Sequence, residues 1–340
     1  MFKLNCKIEI MALPPKNSPQ TAQQLVFRHI DGVTVTASMV NFTDTCKITL
    51  PRLYSKNNKD EFDITKIFKR NDTVTVELGY DDNFETVFKG YIKTVSTGNP
   101  VTLECENEAW MLKQMKIAEP EYYPKLKLKD FVNKHLSGYK VDIVDVDLGE
   151  VRINSDVSLS QIFDYFMKNY PFRFFFRDDV FYGVLGSALM LKNDVIKTHK
   201  FVFGKNIISD SLNYTLAEDI KFQIVAKAIL KDNTKIECKE PANVEGGEIR
   251  TFLVPGATTE ANLKEFAKER LQELQIDKMT GDFTAFGLPF VKKGDIVHFF
   301  DDKNEERKNK QFLVEAVRYE FGKGGYRQVI TLGMEIKIKN

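Results

Sequence analysis

Two aspartates stand side by side, Asp81 and Asp82, within "VTVELGYDDNFETVFKGYIKTVS" (Val74–Ser96). Paired carboxylates are the working groups of glycosidases and also serve as ligands for hard cations. The pair lies between two apolar runs that alternate with the strand period, so it also reads as the wet tip of a β-hairpin. Neighbouring residues on a strand point to opposite faces, which argues against two adjacent aspartates meeting one substrate.

Other candidate chemistry is thin. Cys6, Cys46, Cys105 and Cys238 are far apart, and so are His29, His135, His199 and His298. A zinc site shows close ligand pairs, and the sequence contains none. No GxSxG, HExxH, P-loop or dinucleotide fingerprint occurs. "EFGKGGYRQ" (Glu320–Gln328) has glycines and Lys323 but lacks the spacing and following helix of a phosphate cradle. "FRFFFRDD" (Phe172–Asp179) interleaves aromatics with arginines, a pattern that stacks nucleobases, but Phe172, Phe174 and Phe176 also read as one core-facing strand edge. No catalytic, cofactor-binding or metal-ligating residue is assigned, and no cofactor is expected. With 48 acidic residues, an acid pair elsewhere stays open.

The 340 residues suggest two or three domains. The chain is 43% hydrophobic and 29% charged, with a formal net charge of +1, so no basic surplus points to specific nucleic-acid recognition. No apolar run approaches the roughly 18 residues that span a bilayer, and membrane insertion is not expected. The N-terminal "MFKLNCKIEIMALPP" alternates polar and apolar residues like a first strand, not a signal peptide. Synthesis in the cytoplasm is the expectation.

The elements that position these residues fall into three expected domains. Residues 1–115 read as a small antiparallel β-barrel module, with alternation in "GVTVTASMV" and "CKITL". Residues 116–205 read as an α+β middle domain. Leu128, Phe131, Val132 and Leu136 have helical spacing; "SLSQIFDYFMKNYPF" opens on a capping box at Ser158 and Gln161 and stops at Pro171. Asp178–Asp179 sit at a hairpin turn. Residues 206–340 hold a hairpin joined by "KDN" and an amphipathic helix with Leu263, Phe266, Ala267, Leu271 and Leu274 on one face. A second barrel module follows. The fold class is mainly β, two related small antiparallel β-barrel modules flanking an α+β domain.

The relation between the modules is an internal repeat. "FKRNDTVTVELGYDDN…TVFKGYIKTV" is answered by "VKKGDIVHFFDDKN…QFLVEAVRYEF". Each has a basic pair, Asn-Asp or Gly-Asp, an alternating strand, an acidic tip (Asp81–Asp82, Asp301–Asp302), an apolar return strand, a glycine turn and a third strand. Hairpin tips need polar, turn-tolerant residues in both copies, whereas a catalytic pair has no reason to repeat. The return strand carries a further clue. Val74, Val76, Leu78, Phe88 and Ile92 line one side, yet Val87, Tyr91 and Val95 have the opposite parity. A strand apolar on both sides is covered on both faces, by an intrachain helix or by another subunit. Candidate subunit-interface residues are therefore Val87, Tyr91 and Val95, with Phe312 and Val314 in the second copy.

"LGYDDNFETVFKGYIKTVS" followed by "VTLECENEAWMLK", with "CKITLPR" upstream, resembles the N-terminal barrel of phage tail baseplate hub proteins of the late control D type. "LPFVKKGDIVHFFD…FLVEAVRYEFGKGGYRQVITLG" is similar to that family's second barrel. The middle domain matches by position and element order more than by residues. The resemblance implies a non-enzymatic homotrimer whose paired barrels make a pseudo-six-fold ring. It joins the tail tube protein to a central spike protein, with DNA passing through. The family serves virion tail baseplates, prophages and contractile injection systems such as type VI secretion and tailocins. The chain ends at "EIKIKN" with no spike or lysozyme domain after the second barrel, so the spike is expected to be a separate protein. Two other readings stay open: a tail-associated cell-wall hydrolase with convergent carboxylates in a deep cleft, and a carbohydrate- or receptor-binding tail protein with an aromatic platform on a loop.

Overall fold

The computed structural model describes residues 3–14, 22–56, 60–81, 83–186, 195–230, 234–254, 256–257, 259–275 and 278–336. Asp82 and the "KDN" connection at 231–233 lie outside the described residues. The first strands are β1 (Leu4–Ala12), β2 (Gln23–Phe27), β3 (Gly32–Ser38), β4 (Thr45–Leu50), β5 (Leu53–Lys56), β6 (Asp60–Asp63), β7 (Thr73–Tyr80), β8 (Asn83–Val95) and β9 (Val101–Glu106). Helix α1 (Ala109–Gln114) follows. Next come β10 (Glu121–Tyr123), α2 (Leu128–His135), β11 (Lys140–Ile143), β12 (Val151–Ile153), α3 (Leu159–Asn169), β13 (Phe172–Arg177) and β14 (Val180–Leu185). Strands β15 (Thr198–Val202), β16 (Ile207–Asp210), β17 (Asn213–Thr215), β18 (Phe222–Ile229), β19 (Lys235–Glu240) and β20 (Glu248–Leu253) lead to α4 (Glu260–Leu274). The chain closes with β21 (Lys278–Thr280), β22 (Asp282–Phe286), β23 (Ile296–Phe300), β24 (Gln311–Gly322) and β25 (Gly325–Ile336).

These elements form two compact units. The first gathers Met1–Leu112, Asp194–Ser211 and Asp282–Asn340; the second gathers Lys113–Asn193 and Leu212–Gly281. The sequence-based division at 1–115, 116–205 and 206–340 is linear. The units interleave along the chain because strand pairing ties its beginning to its end.

In the first unit, strand order runs β16-β22-β25-β24-β3-β4-β9-β8-β7-β1-β2, with β23 also on β24 and β15 on β23. Both expected modules are thus parts of one sheet. Their seam is the antiparallel pair β24:β3, from Ala316↔Ser38 to Gly322↔Gly32. Alternation in the sequence becomes alternation in burial: Cys6, Ile8, Ile10 and Ala12 of β1 are buried, as are Cys46, Ile48 and Leu50 of β4. The pairing path is open at β2 and β16, and no pair among the described strands closes either module into a barrel.

The return strand β8 corrects the parity reading. Val76 faces Phe88 but Glu77 faces Thr86, so Val87 is the extra residue of a β-bulge. A second shift falls between Ile92 and Thr94. Each bulge resets the alternation, which is why the adjacent Val87 and Phe88 are both buried. Apolar residues of both parities need no cover on two faces. Gly90 lies between the bulges, and a Cβ there would sit 2.2 Å from the Glu106 carbonyl oxygen and 2.8 Å from the Asn107 Cα. Both are backbone atoms that must move for a side chain to fit. Gly90→Ala is expected to destabilise this unit by about 3 kcal/mol. The readout is the urea midpoint of Trp110 fluorescence; an unchanged midpoint would show that β8 and β9 can separate freely.

The second unit combines helices with small sheets and takes in residues from two of the three expected domains. Ser158 Oγ accepts the Gln161 N–H while Gln161 Oε1 accepts the Ser158 N–H, so the capping box forms and starts α3. Parallel β11:β14 and antiparallel β14:β13 make a three-stranded sheet. Phe131, Phe163, Phe166, Phe172, Phe174 and Phe181 are fully buried in the core of this unit. Phe175 is fully buried too, so β13 is apolar on both sides. Asp178 and Asp179 both adopt positive φ (50° and 63°), the geometry of a tight two-residue hairpin turn. Helix α4 covers the β19-β18-β20 sheet through Leu263 and Ala267.

Candidate assembly surface

The turns that launch the hairpins of the two modules in the first unit repeat hydrogen bond by hydrogen bond. Ahead of β7, Lys69–Arg70–Asn71–Asp72 turns with Asn71 left-handed (φ 75°); ahead of β23, Lys292–Lys293–Gly294–Asp295 does so with Gly294 (φ 83°). Asn and Gly are residues that tolerate this conformation. The Asp72 carboxylate accepts the Lys69 N–H at 2.9 Å and the Leu13 N–H at 2.9 Å. The Asp295 carboxylate accepts the Lys292 N–H at 2.9 Å and the Lys197 N–H at 3.2 Å, and also contacts His199 Nε2 at 2.9 Å. Burial pushes the Asp72 carboxyl above its usual range, against the pull of its two N–H donors. Asn71 N–H donates to Ile92 O and Ile92 N–H to Asp72 O; Gly294 and Val314, and Val314 and Asp295, make the matching pair.

Registers agree as well. Thr73↔Tyr91 and Val74↔Gly90 are matched by Ile296↔Leu313 and Val297↔Phe312. Both return strands then shift register at one residue, Lys93 or Glu315. Beyond it, Thr94↔Glu104 and Val95↔Leu103 are matched by Ala316↔Thr331 and Val317↔Ile330. The basic-pair and Asp signature seen in the sequence is therefore the turn that launches each hairpin.

The seam between modules is held by a buried polar cluster. Lys293 Nζ donates to both Asp44 carboxylate oxygens at 2.6 and 2.7 Å and to the Ser38 carbonyl at 3.1 Å. Asp44 also accepts the Ser38 N–H at 3.0 Å and Asn107 Nδ2 at 3.1 Å. Lys293 is only 4% exposed. Sequence reasoning placed Lys293 in the repeat but missed Asp44, whose role depends on a fold contact between distant stretches.

The five candidate interface residues separate by burial. Phe312 and Val314 are completely buried; the Phe312 ring packs 5.6 Å from that of Phe299. Both are committed to the core of this unit. Val87 is buried at its bulge. Tyr91 and Val95 are half-buried, and the Tyr91 hydroxyl donates to Glu108 Oε2 at 2.9 Å. Within the set, Tyr91 and Val95 hold what surface there is.

The acidic tips organise loops. Asp81 has φ 53° and its carboxylate accepts the Lys3 N–H at 2.9 Å. Asp301 is buried and accepts the Lys303 N–H and Asn304 Nδ2 at 2.9 and 2.8 Å. Burial would raise this carboxyl, but those donors hold it below the usual range. The second tip is longer than the first: residues 301–310 form a loop with a 3₁₀ turn at Glu305–Arg307. Among the described residues no group of three or more His, Cys, Asp or Glu is placed to hold a metal ion, and no helix is long and apolar enough to cross a membrane. The exposed aromatics Tyr122, Tyr165, Tyr214 and Phe286 sit on strands or a helix rather than on one loop.

No family model matches this sequence, and no curated protein does. Solved structures do match along nearly the whole chain. A tail protein from Neisseria meningitidis MC58 is similar with TM-score 0.65 at 13% identity, covering 98% of this chain and 97% of that one. The 43 kDa tail protein of prophage MuSo2 from Shewanella oneidensis is similar with TM-score 0.59 at 12% identity, covering 97% of each. The E. coli c3393 protein, a component of the type VI secretion system similar to the T4 tail proteins gp27 and gp5, matches with TM-score 0.54 at 9% identity, covering 91% of this chain and 74% of that one. The chain has the fold of these phage tail and type VI secretion system proteins, as its resemblance implied.

Proposed function

We propose that this chain is the structural hub of a contractile phage-type tail baseplate, working without catalysis. Three copies make a ring with pseudo-six-fold symmetry that joins the tail tube protein to the central spike protein. One observation carries the reading: two register-matched modules lie fused edge to edge in a single sheet. A chain holding two equivalent modules supplies six from three copies, so a ring can present six quasi-equivalent positions on one side and three-fold symmetry on the other. The fold shared with tail and secretion-system proteins supports the same setting. The protein is made in the bacterial cytoplasm and assembled into a virion tail or injection-system particle. DNA passes through the ring without sequence-specific contact.

The test is reconstitution of the purified protein with the tube and spike proteins of its own particle, followed by electron microscopy. A three-copy ring carrying one spike and capping a six-fold tube is expected. Another copy number, or binding to neither partner, would overturn the reading.

A further inference from the structure

Within the first unit the two modules meet at a second point, made by one hydroxyl rather than by a strand ladder. Tyr80, the last residue of β7, reaches the second module through its Oη. That atom accepts the Gly287 N–H at 3.1 Å and donates to the Tyr326 carbonyl at 3.3 Å. The Tyr80 ring lies 5.7 Å from that of Tyr326. The backbone of Gly287 lies against the Tyr326 ring, and only glycine fits there, because a Cβ would sit 2.1 Å from Tyr326 Cδ1.

The hairpin that carries Tyr80 is anchored at its root and lightly held at its end. Strand β8 pairs with β9 only from Tyr91 to Val95, so Asn83–Gly90 is laddered to β7 alone. The two register shifts of β8 lie toward this root, where the strand bends. Val76, Leu78, Val87 and Phe88 are buried and fix the root to the core. Beyond them Tyr80 and Phe84 are half-buried, and Asp81, Asn83 and Glu85 are exposed. The Asp81 N–H donates to the Lys3 carbonyl at 2.7 Å, so the start of β1 travels with this end of the hairpin.

Two opposing terms meet at this contact. The bonds to Tyr80 Oη are favourable but lie at the long end of the hydrogen-bond range. Against them stands Tyr326, only 1% exposed, whose hydroxyl no group among the described residues bonds. A hydroxyl buried without a partner costs free energy that contact with solvent returns. Burial pushes this phenol far above its usual range, and Tyr80 and Glu85 add to the push. Closing the contact therefore gains two long bonds and costs one desolvated hydroxyl.

We propose that the end of the β7–β8 hairpin is a releasable clasp between the two modules. Closed, Tyr80 bridges Gly287 and Tyr326. Released, the hairpin end lifts, the Gly287 N–H and the Tyr326 hydroxyl reach solvent, and the β24:β3 seam stays paired. The clasp belongs to a single chain and does not depend on the ring reading.

Native-state hydrogen exchange of the full chain tests it, read at the Gly287 amide with the β3 amides as the reference for the seam. Tyr80→Phe removes the acceptor of the Gly287 N–H and is expected to speed exchange there about fivefold. Tyr326→Phe removes only the buried hydroxyl and is expected to slow the same exchange about fivefold. Exchange at β3 is expected to stay unchanged in both variants. Each substitution keeps the aromatic ring, and the thermal midpoint checks that each variant folds. Unchanged or faster exchange at Gly287 in Tyr326→Phe would show that the closed contact bears no cost at this hydroxyl, and the proposal would fall. Unchanged exchange at Gly287 in Tyr80→Phe would overturn it too. So would an equal increase at Gly287 and β3, which is loss of global stability and not local release.

Discussion

Asp44→Ala is expected to destabilise the first unit by about 3–5 kcal/mol. The substitution leaves the Lys293 ammonium buried with the Ser38 carbonyl in place of a carboxylate at 2.6 and 2.7 Å. It also strands the Ser38 N–H and Asn107 Nδ2, which now donate to Asp44. A buried pair is weak evidence of net stabilisation, but breaking one side of it exposes the full desolvation penalty of the other. The double variant Asp44→Asn/Lys293→Met removes both charges and keeps an acceptor for Ser38, so it is expected to recover at least half of the loss. Trp110, the only tryptophan, lies in this unit, so its fluorescence in urea follows the relevant transition even if the second unit unfolds separately. A loss under about 1 kcal/mol for Asp44→Ala would show that the seam does not depend on this cluster.

The repeated aspartates give the second large effect. Asp295→Ala is expected to destabilise by about 3–4 kcal/mol and Asp72→Ala by about 2–3, since each stranded buried donor carries about 1–3. The order follows from the donors that each carboxylate holds. Asp72 holds the Leu13 and Lys69 N–H groups, while Asp295 holds those of Lys197 and Lys292 and also contacts His199. Both carboxylates are essentially inaccessible to water, which therefore cannot replace them. Asp→Asn keeps one acceptor and should restore about half of each loss. Hydrogen exchange gives a second readout. Protection should fall at β15 and β23 for the Asp295 variant, and at β1 and β7 for the Asp72 variant. Equal and negligible effects at both positions would mean that the shared turn is a coincidence of sequence.

Much of the architecture is legible in the amino-acid sequence because local rules act locally. Alternation of apolar residues marks β1, β4, β7 and β9, since the strand period places every second side chain on one face. The capping box at Ser158 and Gln161 starts α3, and paired aspartates at 178 and 179 take the positive φ that a tight turn demands. The repeat itself is visible because the same turn needs the same chemistry twice: a residue tolerant of left-handed φ, then an aspartate. Three features were not legible. A bulge adds one residue without any sequence mark, so the parity that singled out Val87, Tyr91 and Val95 breaks inside β8. Burial of Phe312 and Val314 depends on neighbours such as Phe299, which periodicity does not name. The seam is a pairing between Ser38 and Ala316, and its buried charge partners, Asp44 and Lys293, are equally remote in the chain. Periodicity and turn chemistry decide which segments become strands. Which edge meets which, and hence where two modules become one sheet, is decided only when the chain buries its apolar faces together.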